Sequence, residues 1–336
     1  MVEYVRSREL VAEAEGLFGA APAAAQTDAL WAALLVGQGR ASWRLAEPKL
    51  AIDRLREATV VAERLGEDGY ETRVIALLLL GDLLPYHGQV EEAERAFETV
   101  LSVCEAHGDR AHLMVAYLNR RQLWIGRRNL ERALEDSRRS IALAREIGFV
   151  TATFMGEYNL GELLYQAGDA DAAWPHVRRA VELEEKRLSG FSRPVAKLLE
   201  GRLLAFLGRD DEARAVVDAL GAAQAAAERA GDTEAILVPS ERVLLEMVDL
   251  SSRPASAEEW QALRGRSGGA SMEQEVIEVV EMAALAHARR GRSAAARDTL
   301  VEALALAERI PNVMARRLRQ DDAEIQGRSP VSRSVV

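Results

Sequence analysis

The chain has 336 residues, a formal net charge of −10 at pH 7, 58 Ala, 40 Arg, 3 Lys, 9 Pro and 1 Cys. With 49% hydrophobic residues it has the composition of a chain that folds, and its wealth of Ala, Leu, Arg and Glu favours helix. The single Cys104 excludes an internal disulfide or a four-cysteine zinc module, and the acidic balance opposes attraction to nucleic acid or an anionic membrane.

The N-terminus, Met1-Val2-Glu3-Tyr4-Val5-Arg6, lacks the apolar segment of a secretory signal. The longest apolar run, Val74 to Leu80, falls far short of the ~20 residues that span a bilayer. A cytoplasmic protein is expected, and the excess of Arg over Lys is the bias of a GC-rich bacterial genome.

Residues 2–18 read as a helix ended by Gly19-Ala20-Ala21-Pro22, so that 1–27 form an N-terminal capping helix. From residue 28 one pattern recurs: a small residue, seven later a turn residue, five later an Ala. It occurs at Gly39, Ala46, Ala51; at Gly81, Gly88, Ala93; at Gly161, Gly168, Ala173; at Gly201, Gly208, Ala213; and at Ala284, Gly291, Ala296. Around Ala133 the offsets hold, but Arg121 and Arg128 replace both small residues. The positions Ala51, Ala93, Ala133, Ala173, Ala213 and Ala296 are spaced by 42, 40, 40, 40 and 83, the last interval leaving room for one degenerate unit.

Residues 4 and 7 after each Ala are mostly apolar or small, for example Phe97 and Val100, which places them on one helical face. Ser137 and Ser140 break the rule in the unit that lost its glycines. Each repeat is therefore a helical hairpin, with Gly accepting the left-handed cap conformation and small residues admitting the partner helix. Five hairpins and the first helix of a sixth fill 28–250; 251–271 interrupt the pattern with a short helix around Trp260; 272–310 form the last hairpin. Residues 311–326 are expected as a C-terminal capping helix with Arg316, Arg317, Arg319, Asp321 and Asp322 on a polar outer face, and 327–336 as a disordered tail. Pro85 should bend the last turn before Gly88.

The small-x6-Gly-x4-Ala pattern, best copied in Tyr158-Asn159-Leu160-Gly161 through Gly168 to Ala173, resembles the tetratricopeptide repeat (TPR). The resemblance covers about residues 28–310. The period of 40 exceeds the ~34 of the common repeat and lengthens each helix by about one turn. Such long repeats are similar to those of bacterial maltose-regulator-type and Ser/Thr-kinase-associated signalling proteins. HEAT-like repeats share the period but lack the offsets. The resemblance implies an all-α, right-handed superhelical solenoid of about seven antiparallel helix hairpins.

Catalytic and metal motifs are missing. Gly265-Arg266-Ser267-Gly268-Gly269-Ala270-Ser271 has neither a strand before it nor the Lys of a phosphate loop after it. Cys104, His107 and His112 have no fourth zinc ligand, and His87 and His176 have no nucleophile at a usable spacing. No cofactor, no metal and no enzymatic activity are expected. Arg120, Arg121, Arg127 and Arg128 form a candidate basic patch, with Glu131, Glu135 and Asp136 as helical partners for neighbouring arginines.

In TPR-like folds the first helices line a concave groove. Carried over by offset, the resemblance implies a partner-binding lining of Arg40, Trp43, Arg44, Asp82, Tyr86, Gln122, Tyr158, Glu162, Tyr165, Gln166, Arg202 and Phe206. This mix of aromatic and polar groups suits a peptide. The Lys/Asn clamp by which some such domains hold a C-terminal carboxylate is not matched around Asn119 and Asn159. The expected function is non-catalytic binding of a protein or peptide as a regulatory or sensor module of a bacterial signalling system, without nucleic acid or membrane. A small-ligand sensor module of a transcription regulator and a self-associating homodimer are the alternatives.

Overall fold

A computed structural model describes residues 2–21, 27–187, 193–232, 236–267, 273–309 and 313–327. The tail expected at 327–336 lies outside them from residue 328 on, as does most of the Gly-rich segment, at 268–271. Among the described residues there are sixteen α-helices and no strand. They are α1 (Val2–Ala20), α2 (Asp28–Arg44), α3 (Pro48–Arg64), α4 (Tyr70–Leu83), α5 (Val90–His107), α6 (Arg110–Gly126), α7 (Leu130–Glu146) and α8 (Val150–Gln166). There follow α9 (Ala170–Arg187), α10 (Val195–Phe206), α11 (Asp210–Ala230), α12 (Pro239–Ser252), α13 (Ala257–Arg266), α14 (Glu273–Arg289), α15 (Ser293–Arg309) and α16 (Ala315–Ile325). The fold is an all-α array of antiparallel hairpins of the TPR-like solenoid class. The chain forms two compact units: residues 1–124 with 142–147, and residues 125–141 with 148–336.

The repeat's turn residue takes the left-handed conformation in every hairpin that carries the motif. Gly88, Gly168, Gly208 and Gly291 have φ of 72°, 87°, 70° and 73°. Ala46 and Arg128, which replace Gly, are forced to φ of 60° and 56°, a region that disfavours a residue with Cβ. Short polar residues cap the helices that follow: His112 N donates to Asp109 at 3.0 Å, Arg132 N to Asn129 at 3.2 Å and Ala172 N to Asp169 at 3.0 Å. Pro85 opens a 3-10 turn, Leu84–His87, that closes α4 before Gly88.

At Gly39, Gly81 and Gly161 the nearest neighbour of the mid-helix glycine is the large apolar residue four after the Ala on the partner helix. A Cβ on Gly39 would lie 2.7 Å from Leu55 Cγ, on Gly81 2.6 Å from Phe97 Cζ, and on Gly161 2.8 Å from Val177 Cγ2. The glycine makes room for a knob, and Ala completes the close approach. In the first unit Leu55, Phe97 and Val100 join Val74, Leu77 and Leu80 in one core. A fully buried Phe such as Phe97 contributes about 1.5–3 kcal/mol by this burial. The second unit has one core around Phe154, Ala180 and Val181, and another joining α14, α15 and α16 through Ile277, Leu300 and Leu318. Of the residues expected on the polar outer face of the last helix, Arg316 and Arg319 are exposed and Asp322 is half-buried, whereas Arg317 and Asp321 are buried. Ser137 and Ser140 are buried too, and the Ser137 hydroxyl is satisfied by Ala133 O at 2.7 Å.

Candidate partner-binding surface

In the first unit, α2 and α4 bring together part of the inferred lining. Arg40, Trp43 and Arg44 surround a pocket of about 680 Å³ with Leu79. The pattern that buries Gly39 and Ala41 turns Arg40 and Arg44 to solvent, with the Trp43 indole half-buried between them. Two guanidinium groups lining one pocket with an indole and a leucine suit a carboxylate next to an apolar group. Asp82, three residues past Leu79, accepts a hydrogen bond from Asn119 Nδ2 at 2.7 Å. Burial pushes the Asp82 carboxyl up to about 7. Tyr86 is 73% exposed, and Gln122 is exposed. Arg120 lies over the Tyr117 and Trp124 rings at 5.5 and 5.6 Å.

The four basic-patch residues divide between the units. Arg120 and Arg121, both half-buried, belong to the first, whereas Arg127 and Arg128, both exposed, belong to the second. Within the second unit Arg139 pairs with Glu135 at 2.5 Å, as the i,i+4 spacing requires.

The second unit treats its share of the lining differently. Tyr165, Arg202 and Phe206 are buried, and α14 and α16 cover them. The Arg202 guanidinium donates to Glu278 at 2.9 and 2.6 Å and to Glu162 at 2.9 Å. The Tyr165 hydroxyl donates to Glu278 Oε1 at 2.8 Å, and the Tyr165 and Phe206 rings meet edge to face at 5.6 Å. Arg317 of α16 lies over both rings at 4.4 and 4.9 Å. It also pairs with the buried Glu281 and donates to Tyr165 O at 2.8 Å.

Electrostatics follow from this packing. Burial lowers the tendency of Arg202 to hold its proton, but Glu278 and Glu162 outweigh it and the net direction is up. Burial raises Glu278, yet Arg202 and Arg317 bring it below the ordinary carboxylate range. Burial and Glu278 push the Tyr165 phenol up. Tyr158, beside Phe154 at 6.4 Å, is likewise raised by burial and by Glu162. Gln166 ends α8 half-buried. Glu278, Glu281 and Arg317 were not among the residues inferred from sequence. The sequence carries a signal for the two acids alone: between Val276 and Ala286 every residue is apolar except Glu278 and Glu281. A helix apolar all round is enclosed, and acids inside it need partners.

Cys104, His107, His112 and His176 make local contacts. Cys104 is buried and accepts from the Tyr70 hydroxyl at 3.4 Å, His107 stacks on Tyr70 at 4.0 Å, and His112 pairs with Asp109 at 2.6 Å. His176 pairs with the buried Glu157 at 2.7 Å. No group of metal-ligating side chains occurs among the described residues, and among them no helix is long and apolar enough to cross a membrane.

These features define a TPR-like helical repeat protein. The solved structures it resembles carry the comparison further in fold. Aspartyl phosphate phosphatase F from Bacillus subtilis matches with a TM-score of 0.66 and 15% identity over 84% of this chain and 71% of that one. The apo form of RapI matches at 0.65 and 14% identity over 87% and 99%. A Rap protein complexed with competence and sporulation factor matches at 0.58 and 15% identity over 88% and 78%. No family model and no curated protein sequence matches the chain.

Proposed function

We propose that the chain is a non-catalytic regulatory module of a bacterial signalling system, cytoplasmic and built of the long type of repeat, that binds a peptide or an extended protein segment on its first helices. The observation that carries this reading is the pocket of Arg40, Trp43, Arg44 and Leu79 in the first unit. It offers two guanidinium groups, an indole and an aliphatic wall at the inferred lining positions. A fold neighbour that was solved with competence and sporulation factor supports peptide binding as a use of this architecture. The occupant presents a carboxylate, from a side chain or a free C-terminus, with an apolar side chain beside it. Because the chain as a whole carries −10, a local pair of arginines selects an acidic segment without attracting nucleic acid.

The test is a random heptapeptide library selected on the immobilised chain, with the enriched peptides titrated by fluorescence anisotropy. Enriched peptides carry an acidic group, and Arg40→Glu and Arg44→Glu each weaken them at least tenfold while helicity by circular dichroism is unchanged. Equal affinity for the parent and both variants refutes the assignment. Charge reversal at Arg202 is no substitute, because its guanidinium is buried in ion pairs and the variant would report folding.

A further inference from the structure

The sixth repeat is irregular. Where the neighbouring second helices α11 and α15 run 21 and 17 residues, α13 has 10. Its Trp260 packs beside α14 and α15 and leaves a pocket of about 210 Å³ in the second unit. That volume is several times the ~30 Å³ share of one water in the liquid. Val279, Val280 and Ala283 form an apolar wall, and Arg264, Gln261, Thr299 and Glu302 complete the lining. Gln261 and Arg264 are exposed and mark the mouth, where Arg264 pairs with Glu302.

Two buried polar atoms set this pocket apart. Trp260 is 4% exposed and His287 7% exposed, and both line it. The Trp260 Nε1–H and His287 Nδ1 are each buried with no hydrogen-bond partner in the protein. Buried nitrogens are nearly always paired, so two orphans lining one pocket call for a ligand. Burial, with Arg292 and Arg290 nearby, holds His287 below the ordinary imidazole range and hence neutral at pH 7. The indole only donates, whereas a neutral imidazole nitrogen donates or accepts according to its tautomer.

We propose that this pocket is a binding site for a small ligand that joins a flat apolar body to a carboxamide. The amide oxygen accepts from Trp260 Nε1–H. The amide group then serves His287 Nδ1 in either tautomer, by its N–H or by its second oxygen lone pair. The apolar body lies against Val279, Val280 and Ala283. The site is separate from the Arg40–Trp43–Arg44 pocket, and peptide binding there and ligand binding here stand or fall independently.

The test uses benzamide and nicotinamide as probes on the full chain, followed by the Trp indole 15N–1H resonances, with the Trp260 signal assigned from Trp260→Phe. The expected result is a saturable shift of that signal, binding weakened at least tenfold in His287→Phe, and loss of the shift in Ala283→Leu, which fills the pocket. Should Ala283→Leu fail to fold by circular dichroism, Gln261→Phe at the exposed mouth gives the same readout. The absence of a saturable shift up to the solubility of both probes overturns the proposal. An equal shift with toluene, which lacks the amide, or an unchanged shift in the blocked variant also overturns it.

Discussion

Arg317 offers the sharpest test of how the second unit is held together. Its side chain is fully buried, and so is Glu281, its ion-pair partner. Three further contacts fix the guanidinium: the Tyr165 carbonyl at 2.8 Å and the Tyr165 and Phe206 rings at 4.4 and 4.9 Å. Replacing Arg317 by Met keeps most of the volume but leaves Glu281 buried without a counter-charge. Breaking a buried pair from one side costs about 3–5 kcal/mol, a large part of the roughly 5–15 kcal/mol that holds a domain folded. For a unit of this size each kcal/mol corresponds to about 2–4 °C in Tm. The expected outcome is a fall of roughly 10 °C in the second unit's transition, by circular dichroism and by urea titration. Replacing both partners, Arg317→Met with Glu281→Met, removes the uncompensated charge, and most of the loss returns because an apolar pair of similar volume is often neutral. The cycle of single and double variants isolates the coupling. A single-variant loss under about 1 kcal/mol, or additive losses in the double variant, refutes the argument that the pair is desolvated and interdependent.

Three further outcomes follow from the first unit. The Asp82 carboxyl, raised by burial from 3.8 to about 7, binds its proton more tightly folded than unfolded, so its contribution is present below pH 4 and lost as the pH rises through 7. Asp82→Asn should match the parent near pH 4 and exceed it by about 2 kcal/mol at pH 8.5 in urea titrations, roughly half the full three-unit equivalent because the group is partly solvated. Ala46 is held at φ 60° on an exposed turn, and Ala46→Gly should stabilise by about 0.5–1 kcal/mol, whereas Gly88→Ala should destabilise by a similar amount; equal signs would show that the turn is not strained. Gly81→Ala drives a methyl to 2.6 Å from the Phe97 ring, costing about 1–3 kcal/mol in overpacking against about 1 kcal/mol of helix propensity gained; adding Phe97→Leu should recover most of the net loss in thermal melts.

The hairpins were legible because their constraints are local and repeat. A turn at Gly168 must be left-handed, and a helix crossing at Gly161 must admit Val177; both leave marks at fixed offsets. Even Ala46 and Arg128, which broke the composition rule, kept the geometry. The shared exposure of three first-unit residues to one pocket has the same local origin. Arg40, Trp43 and Arg44 lie on one helix, and the offset rule needs only that helix's register to turn them to the pocket. What the sequence could not show was the burial of Tyr165, Arg202 and Phe206. It depends on Glu278, 113 residues from Tyr165, and on Arg317, 152 residues away, and no period links those positions.

The same distinction explains where the repeat fails. A regular solenoid needs each hairpin to pack only on its neighbours, and apolar knobs do this without polar cost. In the second unit, α14 and α16 instead close on α8 and α10 through buried charges. Those charges are costly unless matched in both position and orientation, so they fix one seating of α14 and α16 where a smooth apolar contact would admit several. The short α13 lies next to this region and leaves Trp260 Nε1 and His287 Nδ1 without partners, whereas Glu278 and Glu281, about two turns before His287 on α14, are paired with Arg202 and Arg317. Other buried polar atoms also lack a partner, among them Gln38 Oε1 and Glu275 Oε2, but Trp260 and His287 bring two such nitrogens to the lining of one pocket. Two unpaired ring nitrogens facing one cavity, where a single ligand can satisfy both, are what make that pocket a binding site to test.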